Sequence, residues 1–404
     1  MKRSARPNGN GGAVRLMPLG DCLDEVTRGI GAEWKKFPLL GATRAGLAPA
    51  KEAIGKTPER YKPLEPGTVF YNPMRILLGS IALVDDADPP GITSPDYVVL
   101  RARPGVLHHR VFYYWLRSTA GEQLIRSLAR GAVRERILFK RLAVGEMPVP
   151  PWSVQQRVAE SLALIPKLRR AAQDRLAAAE ALPAAYLREV FEGPEASRWE
   201  PRQLHDVAEI VSGITLGRRL GRDDTRRVPY LRVANVKDGC LDLRDVYEIE
   251  ATEREIEELA LRRGDLLLTE GGDRDKLGRG TFWEEQLPLC LHQNHIFRVR
   301  LSADYCPRFV SWQVGSSYGK SYFLRHAKQT TGIATINRGV LGSFPLLSPP
   351  LATQQSHADR LAKRLNNAEG LIARCREELN AIEALPAALL REAFNGVHGD
   401  DGQS

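Results

Sequence analysis

Apolar residues follow two different periods along this chain. Near the C-terminus, Leu361, Leu365, Ala368, Ile372, Cys375, Leu379 and Ile382 step by four and three residues in turn. That spacing predicts a long helix with a coiled-coil seam. A weaker copy, Val158, Leu162 and Ile165 followed by Ala172, Leu176 and Ala179, predicts a second such helix. Arg169 occupies the skipped seam position, and Pro166 is expected to kink or start the helix there. A seam this narrow needs a partner helix, and the chain carries two. The simplest solution pairs them antiparallel as a two-helix stalk. The remaining apolar runs are shorter. Alternation through Leu289–Val299 reads as a strand, and Leu64–Phe70 and Leu261–Leu267 each read as a turn feeding a buried strand. Val111–Leu116 and Phe309–Trp312 read as matching core helices rather than as a base-stacking groove.

These elements recur because the chain is a repeat. Ala181-Leu182-Pro183-Ala184-Ala185-Tyr186-Leu187-Arg188-Glu189-Val190-Phe191-Glu192-Gly193 returns as Ala384-Leu385-Pro386-Ala387-Ala388-Leu389-Leu390-Arg391-Glu392-Ala393-Phe394-Asn395-Gly396, with 10 of 13 positions identical. Pro150-Pro151 with Gln155-Gln156 returns as Pro349-Pro350 with Gln354-Gln355. Weaker matches join Leu19-Gly20-Asp21 to Leu204-His205-Asp206, and Ile137 and Leu142 to Ile336 and Leu341. The first pair of landmarks is offset by 203 residues and the second by 199, so the second helix holds four more residues, about one turn. Two copies of one unit, each a mixed globular segment followed by a long helix, account for the order of the matches.

The expected fold is therefore α+β: two mixed α/β domains separated by two long helices that pair as an antiparallel coiled coil, with a pseudo-twofold repeat. The boundaries read as a first head over residues 1–149 (1–13 a flexible arm), a central helical region over 150–196, and a second head over 197–348. A C-terminal helical region over 349–396 and a tail over 397–404 complete the chain.

Charge distinguishes the two heads. The 404 residues carry 58 Lys+Arg against 49 Asp+Glu, a net charge of +9. Residues 1–150 hold 23 basic and 14 acidic side chains, whereas 197–348 hold 23 and 21. The basic excess of the first head hints at a polyanionic partner. No run of 18 apolar residues predicts a membrane span, and the basic start has no apolar stretch of a secretion signal behind it. Five cysteines without a C-x-x-C pair fit a reducing cytoplasm, and no metal site is expected. The grouping Cys290, His292, His295 lies on the expected strand, which points neighbours to opposite faces.

At this point the chain resembles the specificity subunits of type I restriction–modification systems. The likeness runs through Leu204-His205-Asp206-Val207-Ala208-Glu209-Ile210-Val211-Ser212-Gly213, Arg263-Gly264-Asp265-Leu266-Leu267 and Gln293-Asn294-His295-Ile296-Phe297-Arg298-Val299. It continues through Phe344-Pro345-Leu346 to Pro349-Pro350 and Gln354-Gln355, and covers Ser94–Arg101 with Pro150-Pro151 in the first head. The resemblance implies two target-recognition domains that choose a bipartite site on double-stranded DNA. It also implies a non-catalytic subunit that docks two methyltransferase subunits and restriction/translocase subunits in the cytoplasm. S-adenosylmethionine, ATP and magnesium are then expected on those partners, and no cofactor on this chain. The sequence agrees by what it lacks. Asp88-Pro89-Pro90 is followed by Gly91 and not by the aromatic residue of a base-flipping loop, and no phosphate-binding Gly-Lys-Ser/Thr loop occurs.

Bases are read by Arg, Lys, Asn and Gln, and phosphates are gripped by many donors. Polar, Gly-rich loops are the natural place for both. In the second head these criteria select Arg218, Arg219 and Arg222 in one loop and Arg274, Lys276 and Arg279 in another. A third segment offers Lys328, Gln329, Thr331 and Asn337, and its first-head counterpart offers Arg130, Arg134 and Arg136. Two other readings compete: a two-headed protein–protein scaffold without DNA readout, and a stand-alone DNA-modifying enzyme. Salt-insensitive partner binding without DNA favours the first. The missing cofactor and base-flipping loops disfavour the second.

Overall fold

The structure, a computed structural model, describes residues 13–129, 136–219, 224–272, 277–330 and 333–395. Two long helices dominate it. One runs over Trp152–Phe191, 40 residues, and the other over Leu351–Asn395, 45 residues. At ~1.5 Å per residue these are ~60 and ~68 Å long. Each starts directly after its Pro-Pro pair: the carbonyls of Pro151 and Pro350 accept from the first-turn N–H groups of Gln155 and Gln354, and the missing proline N–H costs no helical hydrogen bond at that position. The chain divides into two compact units, one of residues 1–174 and 376–404 and the other of residues 175–375. Both helices pass from one unit into the other, so each unit holds a head and a portion of each helix.

The expected seams are the buried faces. Leu361, Ala368, Cys375 and Ile382 are buried, Leu365, Ile372 and Leu379 are half-buried, and the flanking charged residues are mostly exposed. In the first unit Leu162, Ile165 and Ala172 cluster with Ile382, Leu379 and Leu389. In the second, Tyr186, Leu187 and Val190 cluster with Ala358 and Leu361. Arg364 pairs with Glu189 (2.8 Å), and His357, earlier in the second helix, pairs with Glu195 (3.2 Å) just past the end of the first, so one helix descends as the other rises. The narrow seam finds its partner helix, and the pairing within each unit is antiparallel.

Of the two expectations for Pro166, a helix start and a kink, the first is corrected. The residue neither starts nor ends its helix, which is helical on both sides of it. Proline in a helix interior costs about 3 kcal/mol. Pro166 is exposed, while Leu162 and Ile165 beside it are 0% and 1% exposed, so the packed face retains the helix despite that cost. Arg169 at the skipped seam position is half-buried.

The two heads share one plan. In the first, Leu23–Glu25, Val98–Ala102, Thr68–Tyr71 and Ile81–Val84 form an antiparallel four-stranded sheet in that order. In the second, Ala208–Ser212, Ile296–Leu301, Leu266–Thr269 and Gly280–Phe282 do the same. The turns into the central strands contain Gly67 and Gly264, whose φ angles of 84° and 89° are left-handed and favour glycine. Thr68–Tyr71 and Leu266–Thr269 are buried throughout, covered on both faces. On one face of each sheet lie the matching helices His109–Leu116 and Pro307–Gly315, with Phe112 and Phe309 fully buried.

Each head is also closed by one antiparallel strand pair: Arg15–Pro18 with Glu146–Val149, and Pro201–Gln203 with Pro345–Leu347. Four-residue helices, Leu19–Cys22 and Leu204–Val207, follow at the positions the repeat matched. The alternating stretch Leu289–Val299 is not one strand but two, Leu291–His292 and Ile296–Leu301. Between them a turn forms because Ile296 N–H donates to the Gln293 carbonyl, while Asn294 N–H donates to that of Ile214. The alternating residues are thus buried in two different sheets.

Candidate nucleic-acid interface

In the second head, two of the three selected segments come together. Gly271–Gly272 pairs with Ile333–Thr335, which pairs in turn with Lys328–Thr330, making a small three-stranded sheet. A side chain at Gly271 would meet Thr335 at 2.8 Å, so the close approach depends on glycine. Ile336 N–H extends the link by donating to the Glu270 carbonyl at 2.8 Å. Lys328 is exposed on the outer strand, and the backbone of Gln329 is opposite Ala334. Arg279 is half-buried with its Nε unpartnered, its carbonyl accepting from Thr269 N–H at 2.9 Å. Arg274, Lys276 and Thr331 lie outside the described residues.

Other selected residues hold the protein together. The Arg218 guanidinium takes the Glu255 carboxylate in a bidentate grip, Nε–Oε1 2.5 Å and Nη2–Oε2 2.7 Å, and also donates to the Glu250 carbonyl. That hydrogen-bonded pair raises the arginine's pKa and holds the Glu255 carboxyl below the usual glutamate value. Glu255 also closes the capping box of Glu253–Leu259 with Thr252. Arg218 therefore ties its loop to that helix start. Asn337 caps the short helix Arg338–Gly342, its Oδ1 accepting from Val340 N–H at 2.9 Å. Arg219 is exposed, and Arg222 lies outside the described residues. In the first head Arg136 pairs with Asp96 at 3.4 Å, while Arg130 and Arg134 lie outside the described residues.

The near-neutral second head uses many of its arginines internally. Arg300 grips Asp265, itself 1% exposed, through Nε–Oδ1 2.8 Å and Nη2–Oδ2 2.7 Å. Arg298 is buried beside them, and desolvation lowers its pKa even as it bonds Glu209 and the Glu258 carbonyl. His292 is buried too, with Nδ1 on the Ile296 carbonyl and a pKa that burial pulls down to about 4. Cys290, next to it, is pushed up to about 12 by burial. Both side chains serve the core at this point. A cluster of Asp85, Asp86 and His109 has ligand-like spacing. The Arg110 guanidinium bridges both carboxylates, at 2.7 Å from each, and offsets one of their two negative charges.

A reading based on Gly-rich loops misses three exposed cations of the first head that share one cavity, Arg44, Lys51 and Arg75. They stand on a tight hairpin, between Gly41 and Gly46, and on irregular turns, without the run of adjacent polar residues that marks the second-head loops. Their one sequence signal is the basic excess of residues 1–150.

No family model matches the chain. Among curated proteins, it is 24% identical over 312 residues to the Type I restriction enzyme EcoKI specificity subunit of Escherichia coli (strain K12), over 70% of this chain. It is also 24% identical over 181 residues, 42% of this chain, to the Type I restriction enzyme StySPI specificity subunit of Salmonella potsdam. The matches span 64% and 37% of those relatives' lengths. Among solved structures, a chain described under complex assembly and conformational transition of the type I R-M system aligns with a TM-score of 0.64 at 19% identity, covering 96% of this chain and 99% of that one. The HsdS subunit from Thermoanaerobacter tengcongensis aligns with a TM-score of 0.57 at 19% identity, covering 97% and 99%. Those likenesses establish the fold: paired heads alternating with long helices. No helix of the described residues is long and apolar enough to cross a membrane. In sequence and in architecture, the relatives of this chain are specificity subunits of type I restriction–modification systems.

Proposed function

We propose that the chain is the DNA-specificity subunit of a type I restriction–modification complex and performs no chemical step itself. Each head reads one part of a bipartite site on double-stranded DNA, and the helices set the number of base pairs between the parts. Two methyltransferase subunits dock around the repeated helix ends at residues 181–193 and 384–396, and restriction/translocase subunits join that core. S-adenosylmethionine, ATP and magnesium belong to those partners.

One observation carries the reading. Both heads present the same four-stranded sheet and covering helix, and each is joined to its own long helix directly after a Pro-Pro pair. A duplicated reader on duplicated helices suits two half-sites read by one chain. The cationic first head adds the attraction for phosphates that precedes sequence reading.

The test is to express the chain with a type I methyltransferase and sequence the methylated genome. A bipartite motif, lost when the chain is omitted, is expected. Methylation of a continuous motif, or methylation independent of the chain, overturns the proposal. Partner capture that is insensitive to salt and needs no DNA supports the scaffold reading instead.

A further inference from the structure

In the first head, Leu40–Thr43 and Gly46–Pro49 form a two-stranded hairpin whose tip is Arg44-Ala45. An isolated hairpin of this size is marginal in water, but this one is tied down repeatedly. Thr43 Oγ1 donates to the Gly46 carbonyl at 3.0 Å and accepts from Ala45 N–H at 3.2 Å. Ser80 Oγ donates to the Ala42 carbonyl at 2.6 Å. Arg117 reaches across the head to donate to the carbonyls of Arg44 at 2.6 Å and Ile81 at 2.9 Å, and its guanidinium lies 5.3 Å from the Tyr113 ring. Arg117 thus positions the residue that it holds by the backbone.

That residue, Arg44, is exposed and has no acidic partner among the described residues. Arg44, Lys51 and Arg75 line one cavity of about 390 Å³, with Glu52 as the acidic side chain on the same lining. Lys51 and Arg75 likewise are exposed and have no acidic partner among the described residues. The wall includes Thr93, fully buried with its hydroxyl unpartnered. Elsewhere in this head Arg101, Arg103, Arg110 and Arg136 are matched by carboxylates; other exposed cations, such as Lys56 and Arg60, have no such partner among the described residues, but they do not line this cavity. A cation left unpaired at a rigid tip keeps its charge available to an external anion, with little ordering cost on binding.

We infer that this cleft is a phosphate-gripping edge of the first head, with Arg44, Lys51 and Arg75 seating backbone phosphates of the DNA. The inference rests on the proposed function and locates an anchoring point that the loop residues did not include. Such anchors set register and affinity without reading bases.

The test uses the full chain and fluorescence anisotropy on two duplexes, one of mixed sequence and one carrying the methylated motif, across a series of salt concentrations. The triple substitution Arg44→Ala, Lys51→Ala, Arg75→Ala should weaken both duplexes in parallel, by tenfold or more. It should also reduce the slope of log affinity against log salt by about 3, near 0.9 for each phosphate no longer neutralised. A control with the same change in charge, Arg157→Ala, Lys167→Ala, Arg170→Ala at exposed positions of the long helix, should leave the slope as it was. A wild-type slope in the cleft variant, or an equal drop in the control, overturns the inference. If the unmodified chain binds neither duplex, the proposed function itself fails.

Discussion

Gln155 and Gln354 make the same three hydrogen bonds, one residue in each unit. Gln155 accepts from His108 N–H and donates to the carbonyls of Val106 and Pro150. Gln354 accepts from Cys306 N–H and donates to those of Asp304 and Pro349. Each is 1% exposed. Each therefore clips the first turn of a long helix to the loop that enters the covering helix of its head. Replacing either with alanine strands a buried N–H and removes the clip. A loss of about 2–4 kcal/mol is expected for each, read from urea unfolding of the full chain. Unfolding curves that match the wild type would show that the clip is dispensable.

Arg218 is a candidate DNA contact by sequence, and its grip on Glu255 leads to a different expectation. Arg218→Ala should destabilise by about 1 kcal/mol and Glu255→Ala by more, since it also opens the capping box, while the double variant should lose little more than Glu255→Ala alone. The folded-state pKa of Glu255 is lowered, so the pair stabilises fully above the usual glutamate pKa. That stability is lost as pH falls through the lowered value. The deficit of Arg218→Ala should accordingly be present at pH 7 and fade in strong acid. Additive losses that do not change with pH would contradict the pairing.

His108 gives the first unit an acid sensitivity of its own. Its Nδ1 accepts from Arg110 N–H at the start of His109–Leu116. Burial, followed by the neighbouring His109 and Arg110, lowers its pKa from 6.5 to about 4. As pH falls below about 6.5 the unfolded chain takes up this proton first, so stability declines until about pH 4. His108→Asn keeps a helix-capping acceptor and removes the titration. It should recover about 1–2 kcal/mol of that decline, allowing for the ring's partial exposure. Urea midpoints at pH 7, 5.5 and 4.5 decide this: a variant that declines as steeply as the wild type rules His108 out.

The long helices are legible in the sequence because their signals are local and repeated. Leu361 to Ile382 keep one face by spacing alone, and the Pro-Pro landmarks mark both starts. Pro166 misleads because its intrinsic cost is local, whereas the packing of Leu162 and Ile165 that outweighs it comes from a helix more than 200 residues away in sequence. The segment Leu289–Val299 misleads because burial on both faces erases the meaning of alternation. Candidate site residues are the least legible. Whether an arginine in a polar loop is open to a ligand depends on a partner such as Glu255, 37 residues from Arg218 and invisible to spacing. Arg44 escapes a reading of the sequence for the converse reason: the side chains of Ser80 and Arg117 that stiffen its hairpin come from positions 38 and 73 residues away from their partners.

If two heads read two half-sites, the helices set the separation between them. Ala172 and Ile382 lie in one cluster of the helix pair within the first unit. Inserting one seven-residue repeat beside each preserves the seam and lengthens both helices together by ~10 Å. The decisive measurement is methylome sequencing of a strain carrying this variant with a type I methyltransferase. The expected result is a motif with both half-site sequences unchanged and a gap longer by up to about 3 base pairs, at ~3.4 Å each. A motif with altered half-site letters and an unchanged gap would contradict it.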